Sequence, residues 1–157
     1  MAETRDEELE QDTWQELETR RWGRLRYREQ DLVFFPRGLL GFENYRQWAV
    51  FYSEEHEPLR WLISMEDPDI AFVIVDPLLV VPDYRPALCQ RDLEDLQAES
   101  VEDLRVFSIV TLGKSIETTT INLSGPVFIN IRKRLGKQVV LLSNKYSTKH
   151  PLISRST

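Results

Sequence analysis

Nine short apolar runs, each closed off by Pro, Gly, Asp or Asn, constrain this chain more than any other feature of its 157 residues. In WGRLRYRE (22–29), Leu25 and Tyr27 fall on one side of a two-residue alternation while Arg24, Arg26 and Arg28 fall on the other, the pattern of a half-buried strand with a wet arginine stripe. LVFF (32–35), WAVFY (48–52), RWLISM (60–65), IAFVIVD (70–76), RVFSIVTL (105–112), TTTINL (118–123), PVFINI (126–131) and KQVVLL (137–142) follow. Nearly all are rich in β-branched or aromatic residues and shorter than an ordinary helix. Strands this short and this closely spaced predict an all-β protein: a small closed β-barrel-like single domain of about nine short strands with one short helix. Trp61 is expected in its core. The helix is CQRDLEDLQAE (89–99), where Leu93 and Leu96 sit three apart among acids and Pro86 marks a boundary upstream. Cys89 occupies the capping position, where sulfur accepts poorly, so this helix start is expected to be weakly capped despite Asp92 three residues on.

Composition adds a charge asymmetry. Residues 1–104 carry 25 acids against 11 arginines, a balance of −14, whereas residues 105–157 carry one acid, Glu117, against nine Lys and Arg, a balance of +8. Residues 1–21 form an acidic N-terminal extension, read as helical or disordered from Leu9, Thr13 and Leu17 at spacing four. Without it the net charge moves from −6 to −1. The β domain is placed at 22–152 and a C-terminal tail at 153–157. MAETRDEELE lacks the basic and then apolar layout of a signal peptide, and no apolar run approaches the roughly 18 residues of a membrane helix. A cytoplasmic location and no membrane contact are expected.

Catalytic chemistry is thinly represented. One cysteine, Cys89, excludes an internal disulfide, and His56 and His150 are too few for a histidine-rich metal site. Phosphate-cradling glycine motifs, C-x-x-C and H-E-x-x-H are absent. The glycines of PRGLLGFE (36–43) suit turns at positive φ instead. No catalytic residue, metal site or cofactor is expected, and the chain is read as a non-enzyme. Arg132, Lys133, Arg134 and Lys137 gather at a hairpin between PVFINI and KQVVLL, which keeps open an alternative: a small barrel that binds single-stranded RNA directly. The acidic first two-thirds of the chain opposes that reading, because phosphate neutralisation dominates such binding. A protein-binding module is the leading class, with no direct nucleic acid.

Four separated strings carry a family resemblance: PRGLLGFE (36–43), RWLISMEDPDIAFVIVDPLLVVPDY (60–84), INLSGPVFINIRKRLGKQVVL (121–141) and YSTKHPL (146–152). In order and with few gaps, they resemble the bacterial flagellar assembly factor FliW family. The resemblance implies a compact β-barrel-like fold, a monomer when free, and two protein partners. Such proteins bind flagellin before its export, and bind the translational regulator CsrA, relieving repression of flagellin mRNA. Export of flagellin would free the factor to capture CsrA, acting away from the RNA-binding surface of CsrA. CsrA-like proteins are basic, so the acid-rich stretch of Asp67, Asp69, Asp76, Asp83 and Tyr84 is the expected CsrA side. Tyr146, Lys149 and His150 are the expected flagellin contacts.

Overall fold

The computed structural model describes residues 14–153; the first part of the acidic extension and the last four residues of the C-terminal tail lie outside the described residues. All nine expected runs overlap strands, the run at 137–142 only at Lys137 and Gln138, and two further strands join them. In chain order these are β1 (Gln15–Thr19), β2 (Gly23–Tyr27), β3 (Leu32–Phe34), β4 (Gln47–Tyr52), β5 (Arg60–Ser64), β6 (Ala71–Val75), β7 (Leu104–Thr111), β8 (Thr120–Ile121), β9 (Val127–Asn130), β10 (Leu135–Gln138) and β11 (His150–Pro151). The helix, α1, spans Gln90–Asp95 between β6 and β7.

Strands β3 to β7 run as neighbours β7-β6-β5-β4-β3, then β10 and β9 follow, and β9 pairs back onto β7. Seven strands thereby close into a barrel. Closure works because β7 is long enough to divide its partners: its first half pairs with β9 from Leu104↔Asn130 to Phe107↔Val127, and its second half pairs with β6 and β8. β8 and β11 extend from that second half as a short flap. Closing a sheet removes the exposed edges that short strands otherwise leave open.

Inside the barrel Trp48 and Phe35 are fully buried with their rings edge to face at 6.4 Å, surrounded by Val33, Leu62, Ile74, Phe107, Val127 and Ile129. The tryptophan of the core is therefore Trp48 rather than Trp61. Trp61 is half-buried on the outward side of β5, where His56 meets it edge to face at 5.0 Å. β9 is buried along its whole length. Val127 and Ile129 point into the barrel, whereas Phe128 packs with Leu96 and Val139, in the cluster at the end of α1.

The described end of the extension, residues 14–21, differs from expectation. Residues 15–19 are a strand, paired antiparallel with β2 from Gln15↔Tyr27 to Thr19↔Gly23. The four-residue spacing of Leu9, Thr13 and Leu17 suggests a helix, but Thr19 bonds the Trp22 amide and the Gly23 carbonyl, and Gly23 takes φ +66°, so a tight hairpin turn wins at 15–27. Glu16 and Glu18 then face Arg24 across the ladder. The remaining extra strand, β11, covers two residues, too short to leave a sequence pattern. Gly38 and Gly41 adopt φ +63° and +85°, as expected of the turn glycines. Gly136 matters for packing instead: an added Cβ there would collide with the Cζ end of the Phe35 ring.

Gly136→Ala is expected to lower stability by about 2 kcal/mol through overpacking of a full core, read as a reduced denaturant midpoint. At α1 the expected weak cap is partly made good by Asp92, whose carboxylate accepts from the Cys89 amide at 3.0 Å and from its thiol at 3.2 Å. Cys89→Ser is expected to add about 0.5 kcal/mol by supplying a better side-chain acceptor for the first turn; an unchanged or lower Tm would contradict this.

Candidate functional site

The loops after β6 and after β10 build one face of the molecule. Asp76 ends β6 and accepts from the Leu78 amide at 2.9 Å, capping the short 3-10 turn Pro77–Leu79 that leaves Leu78 and Leu79 exposed. The chain then descends to Tyr84, which is 3% exposed and donates its hydroxyl to the Leu123 carbonyl at 2.6 Å. Burial, with Tyr146 adding to it, raises the Tyr84 phenol well above its ordinary value, so it is a neutral anchor. The Tyr146 ring stands edge to face on it at 4.7 Å, and the Tyr146 hydroxyl accepts from the Arg85 amide at 2.9 Å. Tyr84 and Tyr146, expected to serve different partners, are thus packed on each other.

The other expected residues sort differently. Asp83 is exposed beside Tyr84, and Lys149 is exposed beyond Tyr146. His150 sits in β11 opposite Ile121, its Nδ1 2.8 Å from the Pro151 carbonyl. Asp67 and Asp69 belong elsewhere: they form the β5–β6 turn, where Asp67 accepts from the Asp69 amide at 3.1 Å. That turn lies at the opposite end of β6 from Asp76, about 20 Å away along a strand of this length. The acid-rich stretch is therefore two patches.

Sequence reasoning missed the most exposed apolar element of this face. After β10, residues 139–142 continue extended, with the Val139 and Leu141 amides bonded to the Pro126 and Ser124 carbonyls. Alternation turns the Val140 and Leu142 amides outward, and neither has a partner among the described residues. Leu142 is 98% exposed, and Val140 and Leu40 are also open. A groove of about 600 Å³ separates this edge from Ala87 and Leu88. An extended segment with free amides and bare apolar side chains is suited to receive a partner strand. The VVLL string carried the signal, but it read as an ordinary core strand.

The basic hairpin resolves into separate roles. Lys137 is nearly buried and bonds Asp92 at 2.8 Å and Asp95 at 2.7 Å, both on α1, while Arg37 lies 3.4 Å from Asp95. Arg134 pairs with Glu29 at 3.3 Å. Arg132 and Lys133 line a polar depression with Glu99 and Asp103. The four cations do not make a shared cationic surface. Burial draws the Lys137 ammonium down, but the two carboxylates outweigh it and hold it above the ordinary lysine value. Burial likewise pushes the Asp92 carboxyl up, and Lys137 with the Cys89 amide outweighs that, leaving it low. Asp95 is held low mainly by Lys137. The carboxylates' contribution is therefore present above the unfolded Asp value near about 3.9 and lost as pH falls through their lower folded values. The lysine's contribution is present below about 10.4 and lost as pH rises through its raised folded value.

Lys137→Met should cost about 3 kcal/mol at neutral pH, because the buried Asp92 carboxylate keeps its hydrogen bonds from Cys89 but loses its counter-charge. That deficit should shrink as pH falls from about 7 to about 3.5 and the carboxyl takes up a proton; urea unfolding across this range checks it.

Comparison with known proteins places these features in context. The family model described as FliW protein matches residues 16–152. The chain is 37% identical over 139 residues to the flagellar assembly factor FliW of Caldanaerobacter subterraneus subsp. tengcongensis, covering 88% of this chain and 93% of that protein. It is 34% identical to the namesake in Clostridium botulinum strain Langeland, over 87% and 95%, and 38% identical to that of Thermotoga maritima, over 83% and 88%. A crystal structure of the flagellar assembly factor FliW superposes with TM-score 0.84 at 34% identity, over 91% of this chain and all of that one.

Proposed function

This chain belongs to the FliW family, and from that membership we propose that it is a non-enzymatic flagellar assembly factor working in the cytoplasm by partner exchange. In this reading it binds flagellin, and when flagellin is exported it captures CsrA and relieves repression of flagellin mRNA. Partners are recognised by surface shape and charge, without cofactor or catalytic group.

The observation that carries the proposal is the contact between Tyr84 and Tyr146. It joins the loop bearing Asp76 and Asp83 to the segment bearing Lys149 and His150, which supports reading the two expected partner patches as parts of one face. Leu142, Val140 and the unpaired amides offer flagellin an apolar edge, while exposed Asp83 offers a basic partner a local charge. With patches this close, occupancy by one partner obstructs the other. Tyr84 supports the face from below rather than touching a partner, and Asp67 and Asp69 stand apart from it. The charge argument thus narrows to Asp76 and Asp83, of which Asp76 also serves as a cap.

Labelled CsrA bound to the chain should be displaced by flagellin in a titration, and Leu142→Asp should weaken flagellin capture by at least ten-fold without lowering Tm, since that side chain is exposed. Asp83→Lys should weaken CsrA capture. Simultaneous binding of both partners, or capture of neither, would refute the shared-face reading.

A further inference from the structure

The layer of side chains that closes one end of the barrel is cationic. Antiparallel register brings the starts of β3, β5 and β7 and the ends of β4 and β9 to that same end. Along β7, Arg105 shares a face with Phe107, and along β5, Arg60 shares a face with Leu62; both of those apolar side chains belong to the core. Arg105 and Arg60 are therefore the outermost inward-facing positions of their strands. The β1–β2 hairpin leans on this end, with Tyr27 edge to face on Phe51 at 6.5 Å, and adds Arg26 and Arg28. Together these residues surround a cavity of about 440 Å³ whose lining includes the core side chains Val33, Phe107 and Ile129.

Aromatic rings fix the four guanidinium groups. Arg26 and Arg28 lie 5.0 and 4.7 Å from the Trp14 ring centre, Arg60 lies 5.0 Å from that of Tyr52, and Arg105 lies 5.1 Å from that of Phe107. The Arg28 Nε is buried and makes no hydrogen bond among the described residues. Asp31 is the one acid among the described lining residues; it stands 3.9 Å from that Nε and already accepts from the Arg28 amide at 2.8 Å. Like charges held around one concavity repel, and an anion seated between them relieves that repulsion. Guanidinium planes bind carboxylates through paired N–H donors. The lining sets a second requirement, because it is also apolar: Ile131 is 51% exposed, and Leu32 and Val50 are partly open. A ligand that satisfies both carries carboxylates on an apolar body.

We propose that this end of the barrel is a binding site for an acidic peptide segment of a protein partner, one in which glutamate or aspartate flanks an aliphatic residue. The carboxylates pair with the guanidinium groups, and the aliphatic side chain covers Ile131 and the apolar lining beside it. A cavity of this size, at the mouth of a barrel, takes a short stretch of chain. Single-stranded RNA fits it less well, because the ring faces on which bases would stack already carry guanidinium groups. Inorganic phosphate leaves the apolar lining uncovered. The site shares no lining residue with the Tyr84–Tyr146 contact, and its test does not depend on flagellin or CsrA.

The test titrates the isotope-labelled full chain with the synthetic peptide acetyl-Glu-Glu-Leu-Glu-Glu-amide and follows the Trp14 indole N–H by NMR, since that ring lies against two of the guanidinium groups. The peptide should shift this resonance with a Kd on the order of 100 μM and bind more weakly as salt rises. Exchanging its glutamates for glutamine, or its leucine for serine, should in each case weaken binding about ten-fold. Arg26→Gln with Arg105→Gln, both at exposed positions, should weaken it about ten-fold with Tm unchanged. The peptide exchanges use the native chain alone, so they remain decisive if the double variant is unstable. No shift at about 2 mM peptide, equal affinity for the glutamine or the serine peptide, or indifference to the arginine changes overturns the proposal. Tighter binding of hexauridylate or of inorganic phosphate than of the peptide overturns it as well, because the cavity would then be a phosphate site.

Discussion

Everything in this structure hangs on β7 accepting partners on both of its edges. A chain of five-residue strands makes a sheet with many open amides and carbonyls, and each strand alone buries little. Pairing Leu104–Phe107 with β9 while Ser108–Val110 pairs with β6 converts that sheet into a ring and encloses Trp48 and Phe35. The same division of β7 frees its far end to hold β8, and through β8 the flap that carries Tyr146 and His150. Closure therefore makes the core and also sets where the C-terminal segment returns.

Outside the ring, α1 is held by polar contacts placed over an apolar seat. Leu96 packs with Phe128 and Val139, and Asn130 donates to the Leu96 carbonyl at 2.9 Å, satisfying the end of a very short helix. Lys137 reaches from β10 to both α1 carboxylates. An isolated helix of six residues would not persist, so this one exists because tertiary contacts hold it. The network also explains part of the sequence's charge asymmetry. The acids of the first two-thirds and the bases of the last third are partly consumed by pairing with each other, as Asp92 and Asp95 do with Lys137 and Glu29 does with Arg134.

Two surfaces remain unspent after this pairing. One is apolar and edge-like, around Val140 and Leu142, next to the tyrosine pair. The other is concave and cationic, around Arg26, Arg28, Arg60 and Arg105. Their chemistry differs enough that they select different ligands: exposed leucine and free amides favour a strand, whereas converging guanidinium groups favour carboxylates. Such separation lets one surface be adjusted without remodelling the other.

The sequence alone determined the β class, the positions of eight strands and only the C-terminal half of a ninth, the single helix and the turn glycines, because alternation and punctuation are local properties that survive any arrangement of the strands. It also carried the family through four strings in register. What it left undetermined is everything that depends on which strands meet. Trp48 and Trp61 sit in equally apolar runs, and only ring closure decides which faces inward. Lys137 and Arg132 belong to one basic cluster in sequence, yet one is nearly buried against α1 and the other faces solvent. Asp67 and Asp76 are nine positions apart and lie at opposite ends of one strand, while Tyr84 and Tyr146, 62 positions apart, touch. Side-chain periodicity is written residue by residue, but burial, pairing and proximity are properties of the closed barrel, and long-range contact is what the tertiary structure alone supplied.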